Sequence, residues 1–165
     1  MKKKTLILLA IALLLGSLNL DGQPRIGIKG GYSHPGFNAG VAVCFNLPFG
    51  FAVQPELQYV TKETKYNGDG GILTMKGQYI ELPVGLQCGL DLILLRPFIA
   101  LTPYVAYPIQ TSEPIRELDY GLGVGGGLDI WRLQVNARYK WSFTDALPGY
   151  NVYNKGFEIS MAFFF

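Results

Sequence analysis

The chain of 165 residues carries a single histidine, His34, directly after Ser33. A histidine beside a serine can activate the hydroxyl as a nucleophile when a carboxylate orients the imidazole. No acidic residue lies near this pair in sequence, and Pro35 and Gly36 follow it, so the segment reads as a solvated turn and no catalytic residue is assigned. The glycines from Gly121 to Gly127 could be taken for a phosphate-binding loop. They alternate with Leu122 and Val124 and precede no helix, so the strand-turn-helix setting of such a loop is missing. They read instead as a smooth strip of strand that leaves room for Tyr104 and Arg138. Asp69 and Asp119 fall in expected loops without metal-ligand spacing, so neither a metal nor any other cofactor is expected. The two cysteines, Cys44 and Cys88, have opposite strand parity on strands that are not neighbours, and free thiols are expected although an oxidising compartment would permit a bridge.

The charged residues carry more information, because they recur at every second position. Lys29, Glu56, Glu81, Asp129, Arg132, Arg138, Lys140 and Glu158 each alternate with apolar neighbours, the signature of strands with two unlike faces. The segments are Arg25 to Tyr32, Asn38 to Phe45, Phe51 to Tyr59, Tyr79 to Gln87, Phe98 to Tyr107, Tyr120 to Ile130, Arg132 to Trp141 and Phe157 to Phe165. Their apolar faces, such as Ile80, Leu82, Val84 and Leu86, carry no charge. A soluble barrel turns its apolar face inward, whereas a membrane barrel turns it toward lipid.

Composition decides between those two arrangements. The chain is 49% hydrophobic and only 16% charged, with 21 glycines and 13% aromatics, too little charge to solvate the surface of a water-soluble domain and a bias toward strands and turns. Its net charge of +2 offers no basic patch for nucleic acid. Met1, three lysines and the apolar run from Thr5 to Leu15 have the layout of a secretory signal peptide, expected over 1–22, with 23–165 as the mature domain. Beyond it no stretch of ~18 apolar residues could span a bilayer as a helix. Aromatics fall into two bands: Tyr32, Tyr59, Tyr107, Tyr139, Trp141 and Phe157 at one rim, and Phe45, Phe51, Trp131, Phe163 and Phe165 at the other. A bilayer selects such girdles at its interfaces.

The expectation is therefore an all-β fold, a single closed antiparallel up-and-down transmembrane β-barrel of about eight strands in the bacterial outer membrane. Long polar loops are expected over Lys62 to Lys76, Pro108 to Asp119 and Ser142 to Lys155, with tight turns and both chain ends on the periplasmic side. The apolar connection Leu90 to Leu95 fits that scheme less well. Pro55, Pro83 and Pro103 each remove a ladder donor and predict bulges or irregular pairing. A barrel of this size encloses only side chains, so its inward charges must pair. A lumen network of Lys29, Glu56, Glu81, Arg138 and Glu158 is expected. The last strand ends on Phe165, and resemblance to outer-membrane barrels generally implies that this aromatic is part of a recognition signal for the barrel-insertion machinery, which would bind by strand addition.

Gln54-Pro55-Glu56-Leu57-Gln58-Tyr59, Tyr79-Ile80-Glu81-Leu82-Pro83, Arg96-Pro97-Phe98 on to Pro103-Tyr104, Asp119-Tyr120-Gly121-Leu122-Gly123 and Leu133 to Ala137 with Arg138-Tyr139 follow in order along the mature chain. In these stretches the sequence resembles the PorT-like family of outer-membrane β-barrel proteins. The resemblance implies a small barrel in the outer membrane, with no catalytic residues to carry over and, in some members, assistance to a secretion system; a monomer in contact with outer-membrane lipid is expected. The alternatives are a soluble lipocalin-like barrel holding an apolar ligand and a lipid-modifying barrel enzyme.

Overall fold

The structure, a computed structural model, describes the backbone of residues 23–68, 71–110, 118–147 and 150–165, and the side chains of 23–61, 77–109, 118–143 and 156–165. The expected leader over 1–22 and Asp69 lie outside them. The strands are β1 (Arg25–Ser33), β2 (Gly36–Asn46), β3 (Phe51–Gly68), β4 (Gly71–Gly89), β5 (Arg96–Gln110), β6 (Asp119–Ile130), β7 (Leu133–Leu147) and β8 (Tyr150–Phe164). Each pairs antiparallel with its neighbour in sequence, and β1 closes onto β8 from Gly27↔Phe164 to Ser33↔Glu158, making a closed barrel of eight strands. A 3-10 turn at Pro48–Gly50 joins β2 to β3.

Both faces follow from the period-two pattern. Ile26, Ile28, Val41, Leu57, Leu82, Leu86, Ile99, Leu101, Val124, Leu128, Ile159 and Met161 are exposed on the outside, while Lys29, Glu56, Glu81, Arg96, Asp129, Arg138, Lys140 and Glu158 are buried within. The interior is polar, unlike the apolar cavity that a lipocalin-like barrel would need. Small apolar groups bound it: Ala42, Cys44, Ala52, Ala162 and Phe164 toward the end bearing the termini, and Tyr79, Tyr104 and Ala106 toward the other. Arg132, counted on the inward face in sequence, sits exposed in the turn between β6 and β7, so its alternation with Leu133 was that of a turn meeting a strand.

Two of the expected loops are largely strand. β3 and β4 stay paired through Lys62↔Gly77 as far as Gly68↔Gly71, and β7 and β8 reach Leu147↔Tyr150 with register shifts between Trp141, Asp145 and Leu147. Antiparallel pairing continues until a turn signal stops it, and Gly68-Asp69-Gly70-Gly71 is such a signal inside a segment whose polarity alone suggested a loop. β5 likewise runs to Gln110 before its connection to β6.

The prolines act as gaps rather than bulges. Pairing skips from Ala42↔Glu56 to Phe45↔Val53, from Pro55↔Val84 to Gln58↔Glu81, and from Pro83↔Tyr104 to Leu86↔Leu101, yet each ladder resumes in the same register. Every gap contains a position where Pro55, Pro83 or Pro103 would have donated. The register shift in the β4–β5 ladder lies instead between Gln78 and Tyr79, opposite Gln110 and Pro108.

The glycine strip of β6 has a steric reason. A Cβ at Gly121, Gly125 or Gly127 would first meet the β7 carbonyl of Trp141, Ala137 or Val135 respectively, and beyond them Tyr104 Oη at 2.6 Å, Arg138 Cβ at 2.7 Å and Phe98 Cζ at 2.7 Å. Large inward side chains of β5 and β7 fill the space that β6 vacates.

Leu82 sits on the outer face of β4 with 51% of its surface exposed. Replacing it with arginine, Leu82→Arg, should destabilise the barrel by ~2–4 kcal/mol, the depth-dependent cost of a cation in hydrocarbon. Reversible denaturant titration in lipid vesicles measures this, and a cost near zero would mean that this face is not against acyl chains.

Candidate functional site

The lumen is the one place where charged chemistry gathers among the described residues, and strand parity puts it there. Lys29 of β1 donates to both carboxylate oxygens of Glu56 on β3, at 2.8 and 2.9 Å. Arg138 of β7 donates through Nη2 to Glu56 at 2.9 Å and through Nε to Glu158 of β8 at 2.8 Å. Lys140, two positions along β7, contacts Glu81 of β4 and lies 3.2 Å from Glu158. Lys29 closes the ring at 3.8 Å from Glu158.

Lys29, Glu56, Arg138 and Glu158 lie in direct contact, and Glu81 is joined to them through Lys140. Sequence reasoning had put Lys140 on the inward face without joining it to the set, although Lys140 is what links Glu81 to the others. Three cations, Lys29, Arg138 and Lys140, balance three carboxylates, Glu56, Glu81 and Glu158, so the cluster is neutral. Each ion is almost fully buried, a position tolerable only with partners at hydrogen-bond distance.

A second cluster lies toward the termini. Gln54 of β3 and Gln134 of β7 exchange amide hydrogen bonds of 2.9 and 3.0 Å across the lumen, and Gln54 also donates to Glu56 at 2.8 Å, joining the two clusters. Gln134 donates to Asp129 at 2.7 Å, and Arg96 reaches Asp129 at 3.0 Å, Gln87 at 3.1 Å and the Gly50 carbonyl at 2.8 Å. Arg25 adds a looser contact to Asp129 at 3.8 Å. Arg96 stood just ahead of the expected start of its strand at Phe98, which is why the sequence pattern passed over it. The cavity beside Gln54, Glu56, Gln87, Phe98, Asn136 and Arg138 has room for about one water molecule, so the described lumen is a filled plug rather than a conduit.

The remaining candidates stand apart. Ser33 is buried on the lumen side whereas His34 is exposed, with Nδ1 held 2.8 Å from the Tyr32 hydroxyl. Glu158 faces Ser33 across the β1–β8 ladder but is already engaged by Arg138 and Lys140. Asp119 accepts a hydrogen bond from Ser142, and no cluster of metal-ligating side chains occurs among the described residues. Cys44 is buried, Cys88 is exposed, and both are free. Phe165 extends the closing seam by donating its backbone N–H to the Ile26 carbonyl at 2.9 Å, with its ring edge-on to Phe163 at 5.6 Å.

The network's neutrality makes a test. Arg138→Met should strand an uncompensated carboxylate and cost ~3–5 kcal/mol, whereas the double change with Glu158→Gln restores the balance and should cost less than the single change. Folding titrations of the single and double variants measure this, and additive losses would mean that the two ions do not depend on each other.

Comparison with known proteins places this geometry. Residues 9–147 match the family described as outer membrane protein beta-barrel domain. No curated protein matches the sequence significantly. Among solved structures the chain is similar to Neisserial surface protein A, at 10% identity over 86% of this chain and 94% of that one, with a TM-score of 0.53. Ail of Yersinia pestis in a phospholipid bilayer nanodisc is similar at 14% identity over 87% of this chain and 100% of that one, with a TM-score of 0.51. The outer membrane enzyme PagL is also similar, at 14% identity over 84% and 98% of the two chains, with a TM-score of 0.49. The likeness to these structures is one of fold. With an apolar exterior, a charge-filled lumen and a match over residues 9–147, the chain belongs to the outer membrane protein beta-barrel domain family.

Proposed function

We propose that this protein is a non-enzymatic outer-membrane barrel of the PorT-like kind, exported by a cleaved leader, which holds surface hairpins in place or supports envelope assembly. The observation that carries the reading is the ion-paired lumen: its buried ions are committed to one another and leave neither a passage nor an activated nucleophile among the described residues. What the barrel then offers is its rim. β3 pairs with β2 only as far as Val60, and β4 with β5 as far as Gln78, whereas β3 and β4 continue together to Gly68 and Gly71. This hairpin rises past its neighbours, as outer-membrane barrels extend strands and loops on the external side. By the same habit the end with the termini and tight turns faces the periplasm. Partners in this reading are outer-membrane lipid, the insertion machinery and, as in some PorT-like proteins, secretion components.

The protein should fractionate with the outer membrane and migrate faster on SDS gels unheated than boiled, because a closed barrel offers detergent no free edge. Lipid extracted from expressing cells should be unaltered. A new acylated or deacylated lipid species, lost again in His34→Ala, would overturn the non-enzymatic reading.

Phe165 is proposed to act chiefly in delivery. Its deletion removes one backbone hydrogen bond, worth about 1 kcal/mol to refolded protein, yet should sharply reduce the amount assembled in cells. Equal assembly with and without Phe165 would leave it as one more interfacial aromatic.

A further inference from the structure

The connections at the end bearing the termini are unlike ordinary water-facing turns. Phe49, between β2 and β3, is 94% exposed with φ at 64°, and Trp131, between β6 and β7, is 79% exposed with φ at 56°. Bulky side chains rarely adopt that left-handed backbone, and glycine or asparagine is the usual choice. Between β4 and β5 the connection reads Leu90-Asp91-Leu92-Ile93-Leu94-Leu95, with all five apolar side chains exposed.

Two of the six N–H groups of this connection find backbone acceptors, so its backbone belongs at the hydrated boundary and only its side chains suit hydrocarbon. Leu90 N donates to the Pro97 carbonyl and Leu92 N to the Leu95 carbonyl, both at 3.0 Å. Its one charge, Asp91, lies 3.3 Å from Arg96, which is itself held by Asp129 and the Gly50 carbonyl. The apolar surface continues the outer face of the strands without a break, from Leu82, Leu86 and Cys88 on β4 to Leu90, and back along Ile99 and Leu101 on β5.

We infer that these connections are a membrane-inserted lip, seated in the lipid leaflet at that end, with the apolar side chains of 90–95 reaching the acyl chains from a backbone at the headgroup boundary, where Phe49, Trp131 and Phe165 also lie. Lipid is the occupant because the surface is continuous with the belt that lipid already covers. The anchors are also spread around the circumference, at the β2–β3, β4–β5 and β6–β7 connections and the end of β8, whereas a second copy would need them gathered on one side. The Arg132 guanidinium, 4.9 Å over the Trp131 ring, suits an aromatic at a phosphate-rich boundary.

The test introduces Ile93→Trp into the full chain carrying Trp131→Phe and Trp141→Phe, refolded in phosphatidylcholine vesicles, with His34→Trp in the same background as the water-exposed reference. The new indole at the β4–β5 connection should emit at shorter wavelength, resist iodide several-fold better than the reference, and be quenched by phosphatidylcholine brominated on its acyl chains. Iodide quenching equal to the reference, without quenching by brominated lipid, would overturn the proposal. Shielding that grows with protein-to-lipid ratio and ignores the bromine would overturn it in favour of a second copy. Should Ile93→Trp fail to give the faster-migrating unheated band, Leu94→Trp is read in the same way.

Discussion

The rest of the structure depends on one constraint: in hydrocarbon, no backbone N–H or C=O can be left without a partner. A sheet meets it only by closing on itself, so the β1–β8 ladder is what makes the other seven ladders viable in a bilayer. Closure fixes an inside and an outside, and the alternation of side chains then sorts the sequence between them. The exterior must be apolar because lipid covers it. The interior is too narrow for bulk water, so inward charges must be matched by other inward side chains.

That matching explains the choice of residues within. Contacts run mainly across the lumen, from β7 to β3 and β4, through Arg138 with Glu56, Lys140 with Glu81 and Gln134 with Gln54. Such braces hold opposite walls at a set distance, which ladder hydrogen bonds between neighbours do not do. Buried ion pairs add little net stability, since desolvation offsets much of their attraction. Their strength lies in what they forbid: a one-residue slip in β1, β3, β4, β7 or β8 would turn its charges into lipid and strand their partners. The glycines of β6 serve the same economy of space, yielding volume to Tyr104, Arg138 and Phe98.

Much of this was legible in the sequence, because period two survives any uncertainty about partners. Parity puts the charges from Lys29 to Glu158, Arg132 excepted, on one face and separates Cys44 from Cys88, and composition turns the charged face inward. Other features depend on information that parity lacks. Which inward residues meet across the lumen is set by the stagger of the closed sheet, so the link through Lys140 was open and the partnership of Gln54 with Gln134 was invisible. Arg96 lay just outside an apolar segment and was lost with the strand boundary. The outer hairpins were read as loops because their residues are polar, although the ladder persists to a glycine-rich stop. Proline cost donors at three places, yet pairing on both sides held the register, so the ladders skip instead of bulging.

The connectivity of the sheet bears on how the molecule comes to exist. Seven of its ladders join strands adjacent in sequence and can form by local zipping, each hairpin on its own. The eighth joins Gly27 to Phe164, 137 positions apart (164 − 27), and concentrates the loop-closure entropy of the fold in a single seam. Lys29 stands on one side of that seam and Glu158 on the other, with Arg138 and Glu56 behind them. An open sheet therefore holds the two halves of a charge cluster apart, and the approach of its edges is drawn by opposite charge as well as by hydrogen bonding. The strand order thus places the one long-range closure at a seam where electrostatic attraction acts alongside the ladder.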